Sequence, residues 1–195
     1  MEALPSDWSE PSWTLPLDAD AAIAAVPEDA TMTGMFLAAL VAVASERGVE
    51  LPSARPRYVA FQPYPLREHC RLLVELSRLG FPNRPLREAL RRVGRGAPEV
   101  LLGSTVGRVV LGSVEGTVPI LQAMAKSYAL HMRPATLDVI QTGERQAVVR
   151  LNEVYNFADC HNVGVFEGVL RYAGVNGRVR IHSRSPTRAD LCCDW

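Results

Sequence analysis

The chain has 195 residues, enough to bury one complete hydrophobic core but few for a second independent domain. Hydrophobic residues make up 48% and charged residues 22% of the sequence, which excludes disordered, collagen-like and coiled-coil classes. The 21 basic residues balance 21 acidic residues, so no net field draws the chain to nucleic acid or an anionic membrane. We therefore expect no nucleic-acid partner.

Residues 1–28 predict an extended N-terminal arm, because prolines interrupt every regular pattern there. These prolines are Pro5, Pro11, Pro16 and Pro27. A short helix can still form over Asp18–Ala25. Trp8 and Trp13 are expected to lie in grooves of the protein's own surface. Residues 29–195 are predicted to form a single domain.

The first half of this domain is predicted to be helical. Asp29 is a suitable N-cap for a helix that Gly48 would end. Further predicted helices cover Leu66–Gly80, a segment from Pro85, Pro98–Leu111 and Thr117–Met132. The most apolar run, Gly34–Ala44, is shorter than the roughly 20 residues that cross a bilayer, so no membrane span is expected.

After Pro134 the hydrophobic pattern changes from a helical period toward alternation. The predicted elements are strands over Thr136–Ile140 and Gln146–Leu151, a helix over Asn162–Ala173, a strand through Arg178–His182 and a strand over Ala189–Trp195. Asn162 is the predicted N-cap of the helix, and Gly174 its end. The pattern predicts an α+β fold, with an N-terminal helical half packed on a C-terminal antiparallel sheet of about four strands with one inserted helix.

Gly164 and Gly168 lie on one face of the predicted Asn162–Ala173 helix, beside the apolar stripe of Val165 and Val169. Glycine inside a helix costs roughly 0.5–1 kcal/mol relative to alanine, so two on one face indicate a close contact. We expect this face to lie against the sheet, or to open toward a ligand.

Cysteine and histidine are the remaining candidates for a binding site. Cys70, Cys160, Cys192 and Cys193 are too few and too irregularly spaced for a disulfide framework, and no secretion signal is visible, so a cytoplasmic location is expected. No paired C-x-x-C spacing occurs, so no metal site is predicted. Cys160 and His161, adjacent at a helix start, join Gly164 and Gly168 as the candidate ligand-binding or packing face.

No catalytic signature is recognisable. The glycines form neither a phosphate-binding loop nor a dinucleotide fingerprint, and no serine or cysteine lies in a nucleophile motif. Acid and base carboxylates could come from Glu153, Asp159, Glu167 and Asp190, but nothing in the sequence brings them together. We therefore assign no catalytic residue.

Several segments carry a resemblance to an uncharacterised, largely myxobacterial family of roughly 200-residue proteins. They are Thr33–Phe36, Tyr58–Phe61, Pro63–Glu68, Tyr155–Phe157 and Val163–Leu170. The resemblance covers residues 30–195 and implies no known activity.

A weaker resemblance rests on the order of elements and on Cys160-His161 before the helix with Gly164 and Gly168. It is similar to the four-vinyl-reductase domain, which shares a fold with haem-nitric-oxide-binding domains and with subunits of the transport protein particle. The stretch His182–Pro186 lacks the cysteine of the four-vinyl-reductase pattern, and the tyrosine, serine and arginine motif of the nitric-oxide sensors is absent. The resemblance thus implies no cofactor, with haem a minor possibility.

The expected function is a non-enzymatic sensor or adaptor that binds a small apolar ligand or a protein partner between helices and sheet, as a homodimer. One alternative is an enzyme on the same fold, a hydrolase or a tetrapyrrole-handling protein. Another is a structural subunit that binds no ligand. Geometry discriminates the sensor from the enzyme, since an enzyme needs a cleft where ionisable groups converge.

Overall fold

A computed structural model describes residues 3–103 and 114–195, with helices mostly in the first two thirds and the main sheet in the last third. The helices are α1 (Ala19–Ala24), α2 (Gly34–Glu46), α3 (Leu66–Gly80), α4 (Leu86–Gly103), α5 (Thr117–His131) and α6 (His161–Tyr172). The strands are β1 (Thr31–Thr33), β2 (Pro63–Pro65), β3 (Met132–Arg133), β4 (Thr136–Gly143), β5 (Gln146–Asn152), β6 (Arg178–Ser185) and β7 (Arg188–Asp194). The predicted α+β class is confirmed.

The main sheet has four antiparallel strands in the order β4-β5-β7-β6, with α6 inserted between β5 and β6. Its two central strands are almost wholly buried, which accounts for their high content of Val, Leu, Ala and Cys. A second sheet, in the order β2-β1-β3, was not predicted. Its strands have three residues or fewer, too few to show alternation.

Two predicted helix starts are wrong. Asp29 is exposed and does not cap α2, because Thr31–Thr33 pairs as a strand and the helix begins at Gly34. Pro98 does not start a helix either, since α4 runs through it to Gly103. A proline there removes one intrahelical hydrogen bond, and packing of α4 against α6 outweighs that loss. The predicted helix beyond residue 103 falls outside the described residues.

The N-terminal arm lies against the domain. Ser9 and Ile181 exchange backbone hydrogen bonds of 2.9 Å at the edge of β6. Trp13 packs on the core, with the guanidinium of Arg91 3.5 Å from its ring centre. The short helix predicted within the arm is confirmed as α1, and its Ile23 is buried in the common core. The domain boundary at residue 28 stays a prediction.

Helices α4 and α6 pack backbone to backbone along a glycine seam, formed by Gly94 of α4 with Gly164 and Gly168 of α6. A Cβ atom on Gly164 would overlap the backbone carbonyl oxygen of Arg91, and one on Gly168 would overlap that of Arg95. The predicted close contact therefore exists, but its partner is α4. The expectation that these glycines face the sheet is wrong, because their missing side chains are what admits the α4 backbone.

The described helices also bear on membrane association. None of those in residues 3–103 and 114–195 combines the length and the apolar character that crossing a bilayer requires.

Candidate functional site

A small cavity lies among the helices, with a volume of about 40 Å³. Its wall comes from β1, α2, α3, α4, α5, α6 and the loop before α6. The lining residues are Met32, Phe36, Ala39, Leu40, His69, Leu73, Ala97, Pro98, Leu101, Met124, Tyr128, Asn156, His161 and Val165. The lining is thus mostly apolar, with four polar side chains.

Two of these polar side chains are histidines that face each other. His69 lies on the buried side of α3, and His161 is the first residue of α6. Their rings meet edge to face with centroids 6.3 Å apart, and each residue is only 4% exposed. The Nδ1 atom of each ring is buried without a hydrogen-bond partner. An unsatisfied buried polar atom costs about 1–3 kcal/mol, so this pair is a costly feature of the core.

Burial keeps both imidazoles neutral. Burial, together with the neighbouring His161, lowers the pKa of His69 to about 3. Burial likewise lowers the pKa of His161 to about 4, partly opposed by the polar backbone of the nearby Asn156. Neither ring therefore carries a charge at neutral pH.

A hydrogen-bond network of buried side chains supports the cavity next to the histidines. Tyr128 donates to Oδ1 of Asn162 at 2.8 Å and accepts from Nδ2 of Asn156 at 2.6 Å. Asn162 in turn donates to the Asn156 carbonyl at 3.0 Å. The prediction of Asn162 as an N-cap is wrong: Cys160 precedes the first helical residue, and the Asn162 side chain is fully buried in this network. The network ties α5 to the start of α6.

The loop between β5 and α6 carries backbone strain. Glu153 and Phe157 both have left-handed backbone angles, with φ of 53° and 61°. The Phe157 carbonyl compensates by accepting backbone hydrogen bonds from Cys160 at 3.3 Å and from Asn162 at 3.2 Å.

The same loop separates the cavity from a second hollow of about 500 Å³ beneath α1, here called the α1 groove. Tyr155, Phe157 and Asp159 line the α1 groove, whereas Asn156 and His161 line the cavity. Alternate residues of one segment therefore form the walls of two hollows.

The buried thiols and the tyrosine are uncharged as well. Burial raises the pKa of the Cys70 thiol to about 12, and Cys70 lies 3.9 Å from the Tyr155 carbonyl oxygen. Burial also raises the pKa of Cys160 and of Tyr128 well above their usual values. The polar groups at and near the cavity are thus neutral at physiological pH.

The four predicted site residues divide between two roles. His161 lines the cavity, and Cys160 is buried beside it. Gly164 and Gly168 belong to the glycine seam and pack on α4. Cys192 and Cys193 are both buried in β7, and Cys192 contacts Arg180 and Asp194.

Sequence reasoning missed His69, Tyr128 and Asn156. A signal existed for His69, which lies three residues after Leu66 and four before Leu73 on the apolar face of α3. No periodic signal marks Asn156, because it lies in a loop.

The candidate carboxylates do not converge. Asp159 pairs with Arg87, Glu167 with Arg91 and Arg95, and Asp190 with Arg150 and Arg184. None of them lines the cavity. Within the described part of the chain, no three His, Cys, Asp or Glu side chains are grouped so as to hold a metal ion.

Solved structures with a similar fold are H-NOX proteins. The Fe(II) unliganded H-NOX protein from K. algicida is 16% identical, covering 84% of this chain and 96% of its own with a TM-score of 0.58. The H-NOX protein from S. oneidensis in the Fe(II)NO ligation state is 14% identical, covering 84% and 98% with a TM-score of 0.59. This likeness shows the fold, and at that level it confirms the part of the weaker resemblance that concerns haem-nitric-oxide-binding domains. The search among curated proteins gives no match.

The H-NOX structures raise the question of whether the cavity fits a haem. At about 40 Å³ it is far smaller than the roughly 300 Å³ at which ligand pockets begin. Among the described residues that line it, there is no Lys or Arg to pair with porphyrin carboxylates. In this conformation the cavity does not fit a porphyrin.

The family relationship covers most of the chain. A family model described as a protein of unknown function, DUF2378, matches residues 25–195. The match includes all the cavity-lining residues, the glycine seam and the main sheet, and it omits most of the arm. The chain therefore belongs to the DUF2378 family of proteins of unknown function.

Proposed function

We propose that this protein is a non-enzymatic sensor module that binds a small uncharged ligand in the cavity. The observation that carries the proposal is the pair of buried imidazoles, His69 and His161, which line one cavity and each retain an unpartnered Nδ1 atom. A ligand that brought a hydrogen-bonding group within reach of either Nδ1 atom would recover part of the cost of burying it.

The chemistry of the wall selects an uncharged ligand. A charged ligand would lose its hydration without meeting an opposite charge, because the polar groups around the cavity are neutral at physiological pH. A cavity of about 40 Å³ exceeds the roughly 10–15 Å³ that one water needs. The ligand therefore has only a few non-hydrogen atoms, unless the flexible Met32 and Met124 side chains move aside.

The same groups favour binding over catalysis. General acids and bases work best with a pKa near the ambient pH, whereas the pKa values of His69 and His161 lie far below it. The Cys70 thiol stays protonated, so it is a poor nucleophile. The fold likeness to H-NOX proteins, one of which is described with Fe(II) and NO, adds support for a ligand-sensing role.

Nitrogen NMR of the four histidines tests the proposal. Methanol serves as the probe, because it is small and uncharged and forms hydrogen bonds. We expect saturable methanol shifts at the ring nitrogens of His69 and His161, with little change at His131 and His182, which lie outside the cavity. Shifts that are equal at all four histidines, or that never saturate, would contradict the proposal.

A pair of neighbouring variants provides the control. Ala39→Leu places a larger side chain into the cavity wall, whereas Ala38→Leu changes an exposed position on the same helix. We expect only Ala39→Leu to abolish the saturable shifts. Loss of binding in both variants would point to an effect on α2 in general.

Two further measurements address the haem and assembly alternatives. A haemin titration that shows stoichiometric binding, lost in His69→Leu or His161→Leu, would replace the small-ligand proposal with a haem sensor. A native mass spectrum reports any molecule that co-purifies with the chain. The same spectrum tests the homodimer that we expect for a sensor module.

A further inference from the structure

A second site candidate is a basic cleft on the opposite side of the glycine seam, here called the arginine cleft. It is an open depression of about 390 Å³ between α4, α6 and the start of β6. The lining residues are Arg91, Arg95, Glu167, Arg171, Val175, Asn176, Gly177 and Arg178. Its volume is in the range of small-molecule sites, roughly 300–1,000 Å³.

The inner part of the cleft has more positive than negative charge. The Glu167 carboxylate accepts from Nε of Arg91 at 2.8 Å and from Nη2 of Arg95 at 2.6 Å. One negative carboxylate therefore pairs with two positive guanidinium groups. The Glu167 side chain is only 11% exposed, whereas those of Arg91 and Arg95 are 20% and 41% exposed. A buried carboxylate therefore holds two guanidinium groups that reach the cleft.

The outer part of the cleft holds two more guanidinium groups with replaceable partners. Arg171 donates to the backbone carbonyl oxygen of Arg95 at 3.1 Å and meets Glu99 at 3.7 Å. The side chains of Arg171 and Glu99 are both more than half exposed. Arg178 pairs with Glu10 of the arm, and that pair is equally exposed. Exposed ion pairs of this kind contribute about 0–1 kcal/mol, so an anion entering the cleft can displace them.

We propose that the arginine cleft binds a small molecule that carries a diphosphate group. Arginine forks match phosphate oxygens with two parallel hydrogen bonds, and a diphosphate offers two phosphoryl groups to Arg171 and Arg178, which line the same depression. A ligand with one carboxylate carries less charge and fewer oxygen atoms than a diphosphate, so it is a poorer match for two guanidinium groups. The site lies outside the cavity and shares no lining residue with it.

The arm limits access to this site. The Glu10 carboxylate forms an ion pair with the Arg178 guanidinium. The Trp13 ring centre lies 3.5 Å from the guanidinium carbon of Arg91. Glu10 thus acts as an internal anion at the rim of the cleft. Removing its charge frees Arg178 for the ligand.

Calorimetric titration with inorganic pyrophosphate, inorganic phosphate, adenosine and a double-stranded oligonucleotide at low salt tests the proposal. We expect pyrophosphate to bind at one site per chain and phosphate to bind about tenfold more weakly. Adenosine, which has no phosphate, should not bind. No pyrophosphate binding at millimolar concentration would overturn the proposal, as would a preference for a double-stranded oligonucleotide.

Charge variants locate the site. The double substitution Arg171→Gln and Arg178→Gln should weaken pyrophosphate binding by about tenfold or more. Both side chains are largely exposed, so the fold should persist. Arg71→Gln, at an exposed position on α3, should leave binding unchanged, and Glu10→Gln should strengthen it. An equal loss of pyrophosphate affinity in Arg71→Gln would mean that the overall charge of the protein determines binding, and it would contradict the proposed site.

Discussion

A Cβ atom on Gly164 would overlap the backbone carbonyl oxygen of Arg91. Because the obstacle is backbone on the neighbouring helix, it cannot rotate away. Gly164→Ala should therefore lower the free energy of unfolding by about 1–3 kcal/mol, despite the better helix propensity of alanine. Chemical denaturation of the purified variant measures this change.

The control for this seam prediction is Gly96→Ala in α4. Its nearest obstacle is the far end of the Arg47 side chain at 3.7 Å, an ordinary contact distance. Alanine there should raise stability by about 0.5–1 kcal/mol. If both substitutions changed stability in the same direction, the backbone contact would not be what requires glycine at residue 164.

The stability of the fold should fall with acidification because of the two cavity histidines. In the unfolded chain each has a pKa near 6.5, whereas folding lowers it to about 3 for His69 and about 4 for His161. The unfolded state therefore binds more protons below about pH 6.5, and stability is lost as the pH falls toward 4. Each histidine contributes up to about 1.4 kcal/mol per pH unit in that window.

Denaturation of the parent and of His69→Gln at several pH values between about 4 and 7 tests this dependence. The variant should show a shallower slope, by up to about 1.4 kcal/mol per pH unit. Identical slopes would mean that His69 is not held neutral in the folded state. The absolute stabilities do not enter the comparison.

The helical periods and the alternating strands could be predicted from the sequence because they are local properties. Packing partners could not. Gly164 and Gly168 indicate a close contact, but nothing near them in the sequence shows whether the approaching backbone belongs to a strand or to α4. His69 and His161 meet only because α3 and α6 cross at the cavity. Such pairs depend on tertiary packing, which a single sequence does not encode in its periodicity.

Substitution within the buried pair of Arg150 and Asp190 should lower the free energy of unfolding more than substitution at most other positions of the main sheet. These residues are direct partners on β5 and β7, with Nε of Arg150 3.1 Å from Oδ1 of Asp190. Asp190 also accepts from Arg184 at 3.1 Å. Asp190→Ala leaves guanidinium charge buried without that carboxylate, and should cost about 3–5 kcal/mol. Glu99→Ala, which affects an exposed pair, should cost less than about 1 kcal/mol in the same denaturation assay.

Two truncations test where the arm ends. Deletion of residues 1–12 removes the Ser9 bridge to Ile181 and mostly exposed side chains, so the melting temperature should fall only slightly. Deletion of residues 1–26 also removes the buried Ile23 and Val26, each worth about 1.5–3 kcal/mol of hydrophobic burial. Similar melting temperatures for the two truncated chains would show that α1 is dispensable.

Folding should not depend on a metal ion. Among the described residues, no three His, Cys, Asp or Glu side chains are close enough together to hold a metal ion. The four cysteines are buried free thiols. A chelator such as EDTA should therefore leave the thermal melt unchanged. A fall of many degrees that zinc reverses would contradict this prediction.

The segment from Tyr155 to His161 forms a common wall between the cavity and the α1 groove. Asn156 borders the cavity, whereas Tyr155 and Phe157 border the α1 groove. A shift of this segment toward one hollow would therefore enlarge the other. Occupants of the two hollows would then be thermodynamically linked, each altering the affinity for the other by the same factor. The arm, through α1, would thereby influence an interior site that it never touches.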